Sequence, residues 1–298
     1  MARHLDDKTM VLALPEYAGP ARRLADRLGV DCSEVQVHHF PDGESSVRLP
    51  PRLPARVIVC QSLDRPNAKL VELILTAATA QRLGAGHLTL VAPYLCYMRQ
   101  DKAFHEGESV SQRIIGRVLA RWFDALITVD PHLHRVHRLD QAVPVDPAIA
   151  LHATAPMARF LSGRVDNPLL LGPDEESEQW VAAIAARDHL DWRVARKRRF
   201  GDHEVSIELP EGPYQGRHIV LVDDVASTGR TLEAAVDLLA PHAPASLSIL
   251  VTHALFVEGA QARLQQKGVS AIWSTDAVIH ATNVIPLDGL IAGALAHV

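Results

Sequence analysis

At 298 residues, with 48% hydrophobic and 22% charged side chains, the chain has the length for two domains and the composition of a globular protein with a well-buried core. Its formal net charge of -5 argues against broad nucleic-acid binding, which needs a basic surface, and leaves small anionic substrates open where cations are local. The start, "MARHLDDKTM", is polar and charged and no apolar run reaches membrane-spanning length, so a cytoplasmic protein with neither signal peptide nor membrane partner is expected. Cys32, Cys60 and Cys96, odd in number and without metal-ligand spacing, read as reduced thiols in or near the core.

Short Val, Ile and Leu runs alternate with longer amphipathic segments. In the first half, strands are expected near 9–14, 34–40, 56–61, 87–92 and 125–129, and helices near 19–28, 66–83 and 109–122. The stretch "FPDGE", residues 40–44, lies between two of these strands, and its Asp-Gly pair is a strong hairpin-turn signal. "PYLCYMRQDK", residues 93–102, follows a strand and holds Arg99, Gln100 and Asp101 in a row; alone it reads as a solvated loop. "DPHLHRVH", residues 130–137, places His132, His134 and His137 just after a strand. Neutral imidazole is a common metal ligand, and His132 is the best candidate; His134 and His137 also fit ordinary surface histidines in a chain that has 16.

A seam is expected near "VPVDPAI", where Pro144 and Pro147 break the pattern. Beyond it, strands are expected near 168–171, 192–196, 204–209, 218–222, 246–251 and 271–274, and helices near 147–161, 175–188, 230–240 and 258–267. "GPDEESE", residues 172–178, puts Asp174 at the start of a helix, where acids complement the dipole. "RKRRFGDHE", residues 196–204, clusters four cations, including Lys197 and Arg199, between two strands. It reads either as an exposed basic hairpin or as a flap that closes on phosphates.

In "VLVDDVASTGRTL", residues 220–232, a strand ends at Asp223 and a helical pattern begins beyond Arg230. A loop entering a helix presents free N–H groups and the positive end of the dipole, which suit a phosphate. Ser227, Thr228 and Thr231 add hydroxyl donors, and Gly229 permits close backbone approach. Asp223 and Asp224 would repel that phosphate; vicinal sugar hydroxyls, held directly or through a divalent cation, would accept both. A simple N-cap accounts for one acid but not for the whole set.

The alternation is that of an α/β, doubly wound architecture with mainly parallel sheets, whose ligands bind beyond the carboxyl ends of the strands. No P-loop or Rossmann glycine pattern occurs.

Taken in order, "FPDGE", "PYLCYMRQDK", "DPHLHRVH", "GPDEESE", the basic flap, "VDDVASTGRT" and "THALFVEGA" resemble the ribose-phosphate diphosphokinase family, in a divergent or archaeal-like form. The resemblance implies two tandem type I phosphoribosyltransferase-like domains, 1–145 and 146–286, with the C-terminal helix 287–298 joined to the first. It implies ATP and ribose 5-phosphate as substrates, Mg2+ as cofactor and a homo-oligomer. By the same resemblance Phe40, Asp42, Glu44, Arg99, Gln100 and Asp101 hold ATP, and His132 helps to hold the metal. Asp174, Asp223, Asp224, Ser227, Thr228, Gly229, Arg230 and Thr231 hold ribose 5-phosphate, and Lys197 and Arg199 act in catalysis. Two alternatives stand beside it: a phosphoribosyltransferase that consumes the diphosphorylated sugar, and a non-catalytic regulatory homologue.

Overall fold

Strands buried on both faces read as near-continuous apolar runs, and the sequence supplies sets of such runs twice over. The computed structural model describes residues 9–133, 135–200 and 204–298, with the side chains of 197–200 and 204–206 outside that description. The chain divides into two units, residues 1–152 with 287–298, and residues 153–286.

The first unit runs β1 (Thr9–Ala13), α1 (Ala18–Leu28), β2 (Asp31–Glu34), β3 (Gln36–His39), β4 (Ser45–Arg48), β5 (Arg56–Cys60), α2 (Pro66–Arg82), β6 (His87–Val91), α3 (Ser111–Ala120), β7 (Ala125–Val129), α4 (Leu139–Ala142) and β8 (Ala148–Leu151). A parallel sheet of order β2-β1-β5-β6-β7-β8 forms its centre, and β3 and β4 pair antiparallel as a separate hairpin. The residues of β7, "ALITV", are buried throughout, as a central parallel strand requires. Helix α1 stops at Gly29, whose φ of 68° is the left-handed conformation of a helix C-terminus. Helix α2 starts on Pro66, where the missing N–H costs nothing. A C-terminal helix, Asp288–Leu295, packs against α1, and Arg27 Nε donates to the buried Asp288 Oδ2 at 2.6 Å.

The second unit runs α5 (Thr154–Leu161), β9 (Leu169–Gly172), α6 (Glu178–Asp188), β10 (Trp192–Val194), β11 (Arg196–Phe200), β12 (Glu204–Glu208), β13 (His218–Ala226), α7 (Arg230–Leu239), β14 (Ser246–Ala254), α8 (Ala260–Gln266), β15 (Val269–Thr275) and β16 (Asn283–Ile285). Its parallel sheet has the order β10-β9-β13-β14-β15-β16, and β11 and β12 form an antiparallel ribbon. In both units the chain leaves its first strand for one neighbour and returns on the other side. The order therefore reverses between β1 and β5, and again between β9 and β13. In doubly wound sheets the crevice at such a reversal is where ligands bind.

Some elements differ from expectation. Residues 148–151, expected to open a helix, form β8 in register with Leu126–Val129; the pairing overrides the helix preference of Ala and Leu. The expected strand 34–40 breaks at buried Val35 into β2 and β3, which belong to different sheets. Strand β13 runs on to Ala226, paired with β14, so Asp223 and Asp224 lie in the strand and not in the loop beyond it. Cys60 and Cys96 are buried, and burial pushes the Cys96 thiol up to about 12, which leaves an inert core thiol. Among the described residues no helix is long and apolar enough to cross a membrane.

Candidate active site

In the second unit, Gly172 ends β9 and Asp174 follows it. A side chain at Gly172 would meet Ser177 Oγ at 2.2 Å, so the glycine lets the 174–177 turn fold back on the strand. Asp174 Oδ1 accepts from Glu176 N at 3.2 Å and caps that turn. Beside it, the end of β13 supplies Asp223 and the 6% exposed Asp224. Burial, then the charge of Asp224, then that of Asp174 raise the Asp223 carboxyl well above its ordinary value, against one favourable hydrogen bond from Asp224 N at 2.9 Å. No described cation pairs with Asp223. The three acids are thus electrostatically one cluster.

After Ala226 comes the turn with half-buried Ser227 and Thr228, buried Gly229 at φ 75°, and then exposed Arg230 and half-buried Thr231 at the start of α7. The N–H groups of Ser227, Thr228 and Gly229 have no backbone acceptor among the described residues. With the free N–H groups of the first turn of α7 they make a concavity suited to an anion. The acid cluster and this turn sit at the β9/β13 reversal, adjacent but oppositely polarised. That is the pattern a phosphorylated sugar needs: hydroxyls on the acids, phosphate on the amides.

In the first unit the expected residues occupy separate places. Phe40, Asp42 and Glu44 form the exposed turn between β3 and β4. There Gly43, at φ 92°, donates to Phe40 O at 3.0 Å, and Asp42 Oδ1 accepts from Glu44 N at 3.1 Å. Phe40 is 43% exposed and meets His38 edge to face. Past β6, Gln100 Oε1 accepts from Ser111 Oγ at 2.6 Å, and the buried Asp101 accepts from Arg135 Nη1 at 2.5 Å and from Arg135 N at 3.2 Å. Two residues of the Arg-Gln-Asp run are therefore engaged inside the unit, while Arg99 is exposed. The Asp101–Arg135 contact also ties this loop to the one that carries half-buried His132. His134 lies outside the described residues.

Sequence reasoning assigned no role to Asp130. It is 2% exposed at the exit of β7, has φ 40°, and binds His152 Nδ1 at 3.0 Å; that bond holds the His152 imidazole above its ordinary value. An ionisable side chain ending a fully buried strand was the available signal. Lys197 and Arg199 lie on β11, paired with Ile207 and Val205, and their side chains are outside the description; Gly201 at the tip of the expected flap lies outside the described residues.

Comparison with known proteins covers both units. Residues 9–122 match the model of the N-terminal domain of ribose phosphate pyrophosphokinase, and residues 149–284 match that of the phosphoribosyl transferase domain. A ribose-phosphate pyrophosphokinase of Methanopyrus kandleri is 34% identical over 90% of this chain and 92% of its own, and one of Halobacterium salinarum is 30% identical over 96% and 100%. The crystal structure of phosphoribosylpyrophosphate synthetase from Mycobacterium smegmatis has the same fold, with a TM-score of 0.82 over 97% of both chains at 22% identity.

Proposed function

The chain belongs to the ribose-phosphate pyrophosphokinase family, and from that premise we propose that it transfers the β,γ-diphosphoryl group of ATP to the 1-hydroxyl of ribose 5-phosphate, giving phosphoribosyl pyrophosphate (PRPP) and AMP. The observation that carries the reading is the opposed pair at the β9/β13 reversal: an acid cluster with a raised Asp223 beside a turn of unused N–H groups.

In this reading Asp223 and Asp224 orient the ribose hydroxyls, and residues 227–231 hold the 5-phosphate. The anomeric oxygen attacks the β-phosphorus, the bond from that phosphorus to the AMP oxygen breaks, and the hydroxyl proton passes to solvent. Positioning and charge neutralisation supply most of such a reaction. Lys197 and Arg199, assigned by family resemblance, neutralise charge that builds on the phosphoryl oxygens. Phe40, Asp42, Glu44 and Arg99 are the ATP-side residues left exposed for contact; Gln100 and Asp101 support that loop from within.

Mg2+ belongs to the same reading. Among the described residues no group of three or more His, Cys, Asp or Glu side chains is placed to hold a metal ion, and Mg2+ needs few protein donors because it keeps waters and substrate phosphates. The buried carboxylate of Asp130 and the imidazole of His132 fit as its holders. When bound, the ion supplies neutralisation of phosphate charge. A cytoplasmic location, in keeping with buried, unpaired Cys60 and Cys96, and a homo-oligomeric state complete the proposal.

The test is incubation with Mg2+, ATP and ribose 5-phosphate. AMP and PRPP in equal amounts are expected. ADP as product would indicate a simple kinase, and nucleotide formation from PRPP and a free base without AMP release would indicate a phosphoribosyltransferase.

A further inference from the structure

We propose that Arg263, on α8, is a positioning residue for the phosphate-binding turn, acting through the peptide that joins Thr228 to Gly229. The inference rests on the proposed ribose 5-phosphate site and adds to it a residue that touches no substrate.

Three successive carbonyls leaving β13 are gripped from one side. Ala226 O accepts from Leu255 N at 3.0 Å and Phe256 N at 2.9 Å, Ser227 O accepts from Val257 N at 3.1 Å, and Thr228 O accepts from Arg263 Nη2 at 2.8 Å. In a planar trans peptide the carbonyl and the following N–H point in opposite directions. Holding these carbonyls toward the segment 255–263 therefore turns the N–H groups of Ser227, Thr228 and Gly229 away from it, together, into the anion-binding concavity. Backbone donors fix the first two peptides. A side chain fixes the third.

That side chain is itself constrained. Arg263 Nε donates to Glu233 Oε1 at 2.8 Å, and Nη1 donates to Glu258 O. Glu233 N in turn donates to Gly229 O at 2.8 Å, so a closed ring of contacts holds Gly229 on both sides. A Cβ at Gly229 would meet the Ala260 Cβ at 3.0 Å, which leaves this peptide little room to choose another path. The guanidinium, with each of its nitrogens engaged, is committed to protein acceptors; it aims a donor at the phosphate instead of contacting the phosphate.

Arg263→Ala and Arg263→Lys separate geometry from charge. A lysine keeps the charge but cannot hold three acceptors in a planar fork. Both variants are expected to raise KM for ribose 5-phosphate, and its Kd measured by calorimetry without ATP, by about tenfold, the scale of one charge-assisted hydrogen bond. KM for ATP and kcat should stay within about twofold. Unchanged ribose 5-phosphate affinity in Arg263→Ala overturns the proposal, as does full recovery in Arg263→Lys, which would mean that bare charge suffices. Equal losses for both substrates with a lowered melting temperature would mean general structural support and also overturn it. If Arg263→Ala does not fold, Arg263→Lys and Arg263→Gln decide by the same readings. Wild-type protein that binds no ribose 5-phosphate removes the proposed function; wild-type binding with unaltered variants removes this inference alone.

Discussion

The two units carry the same reversal of strand order and fill it with opposite chemistry. At the β1/β5 reversal the 5% exposed Lys69 reaches back from α2 to Glu16 at 2.6 Å, Asp64 at 2.7 Å and the Ser62 carbonyl at 3.1 Å. The strand exits of that unit are cross-linked by a cation of their own. At the β9/β13 reversal Asp174, Asp223 and Asp224 cluster, Asp223 has no described cationic partner, and the N–H groups of the adjoining turn are left without backbone acceptors. Topology makes a crevice in both; charge balance decides which is left in need of a ligand. The first crevice pairs its exit acids Glu16 and Asp64 with its own lysine, although the buried Gln61 Oε1 and Ser62 Oγ beside it have no hydrogen-bond partner among the described residues, whereas in the second Asp223 has no described cation.

The comparison can be broken most severely at the cations that the second unit is proposed to recruit. Lys197→Ala and Arg199→Ala should each lower kcat by about 10³-fold, with substrate affinities nearly unchanged and stability altered by less than about 0.5 kcal/mol. Steady-state kinetics beside a melting curve checks this, and near-normal kcat rejects the assignment. Asp224→Asn comes next: an amide cannot replace a carboxylate that orients hydroxyls, and kcat/KM for ribose 5-phosphate should fall roughly 30- to 100-fold, read at limiting sugar phosphate.

Lys69→Ala tests the other side. Removing the cation leaves Asp64 and Glu16 without it, so the first unit should lose about 1–3 kcal/mol in denaturant unfolding while KM for ribose 5-phosphate stays within twofold. A large rise in that KM would mean the β1/β5 crevice is not merely structural.

The smallest effect has the least usual sign. Because the Asp223 pKa is raised in the folded protein, the folded state holds that proton more tightly than the unfolded chain. Stability therefore falls as pH rises from the ordinary carboxylate value through the raised one, and the penalty is fully present above it. Asp223→Asn should remove the penalty and raise the melting temperature at neutral pH by about 2–4 °C, roughly 1 kcal/mol. Calorimetry that finds the variant less stable would show that Asp223 is already compensated within the unit.

The sequence made the layered alternation readable because a parallel strand buried on both faces is a near-continuous apolar run, as in "ALITV" and "IVLV". It misled where pairing outweighs propensity, as at "AIAL" in β8, and where one buried residue, Val35, splits a run between two sheets. The short strands β4 and β16 carry too few apolar residues to register. At the site, the paired acids and the turn after them were legible because their residue types conflict with any single structural role. Lys69, Arg135 and Arg263 were not. Their meaning lies in partners, Glu16 for Lys69, Asp101 for Arg135 and the Thr228 carbonyl for Arg263, more than thirty residues distant in sequence, and one sequence holds no record of such pairings.

Hydrogen–deuterium exchange with and without ribose 5-phosphate tests the central contrast most directly, because it reads both crevices in one experiment. The account predicts that the sugar phosphate slows exchange in peptides covering residues 223–231 and leaves those covering 61–69 unchanged. Unaltered exchange over 223–231 at saturating ribose 5-phosphate, or protection over 61–69 in its place, would contradict it.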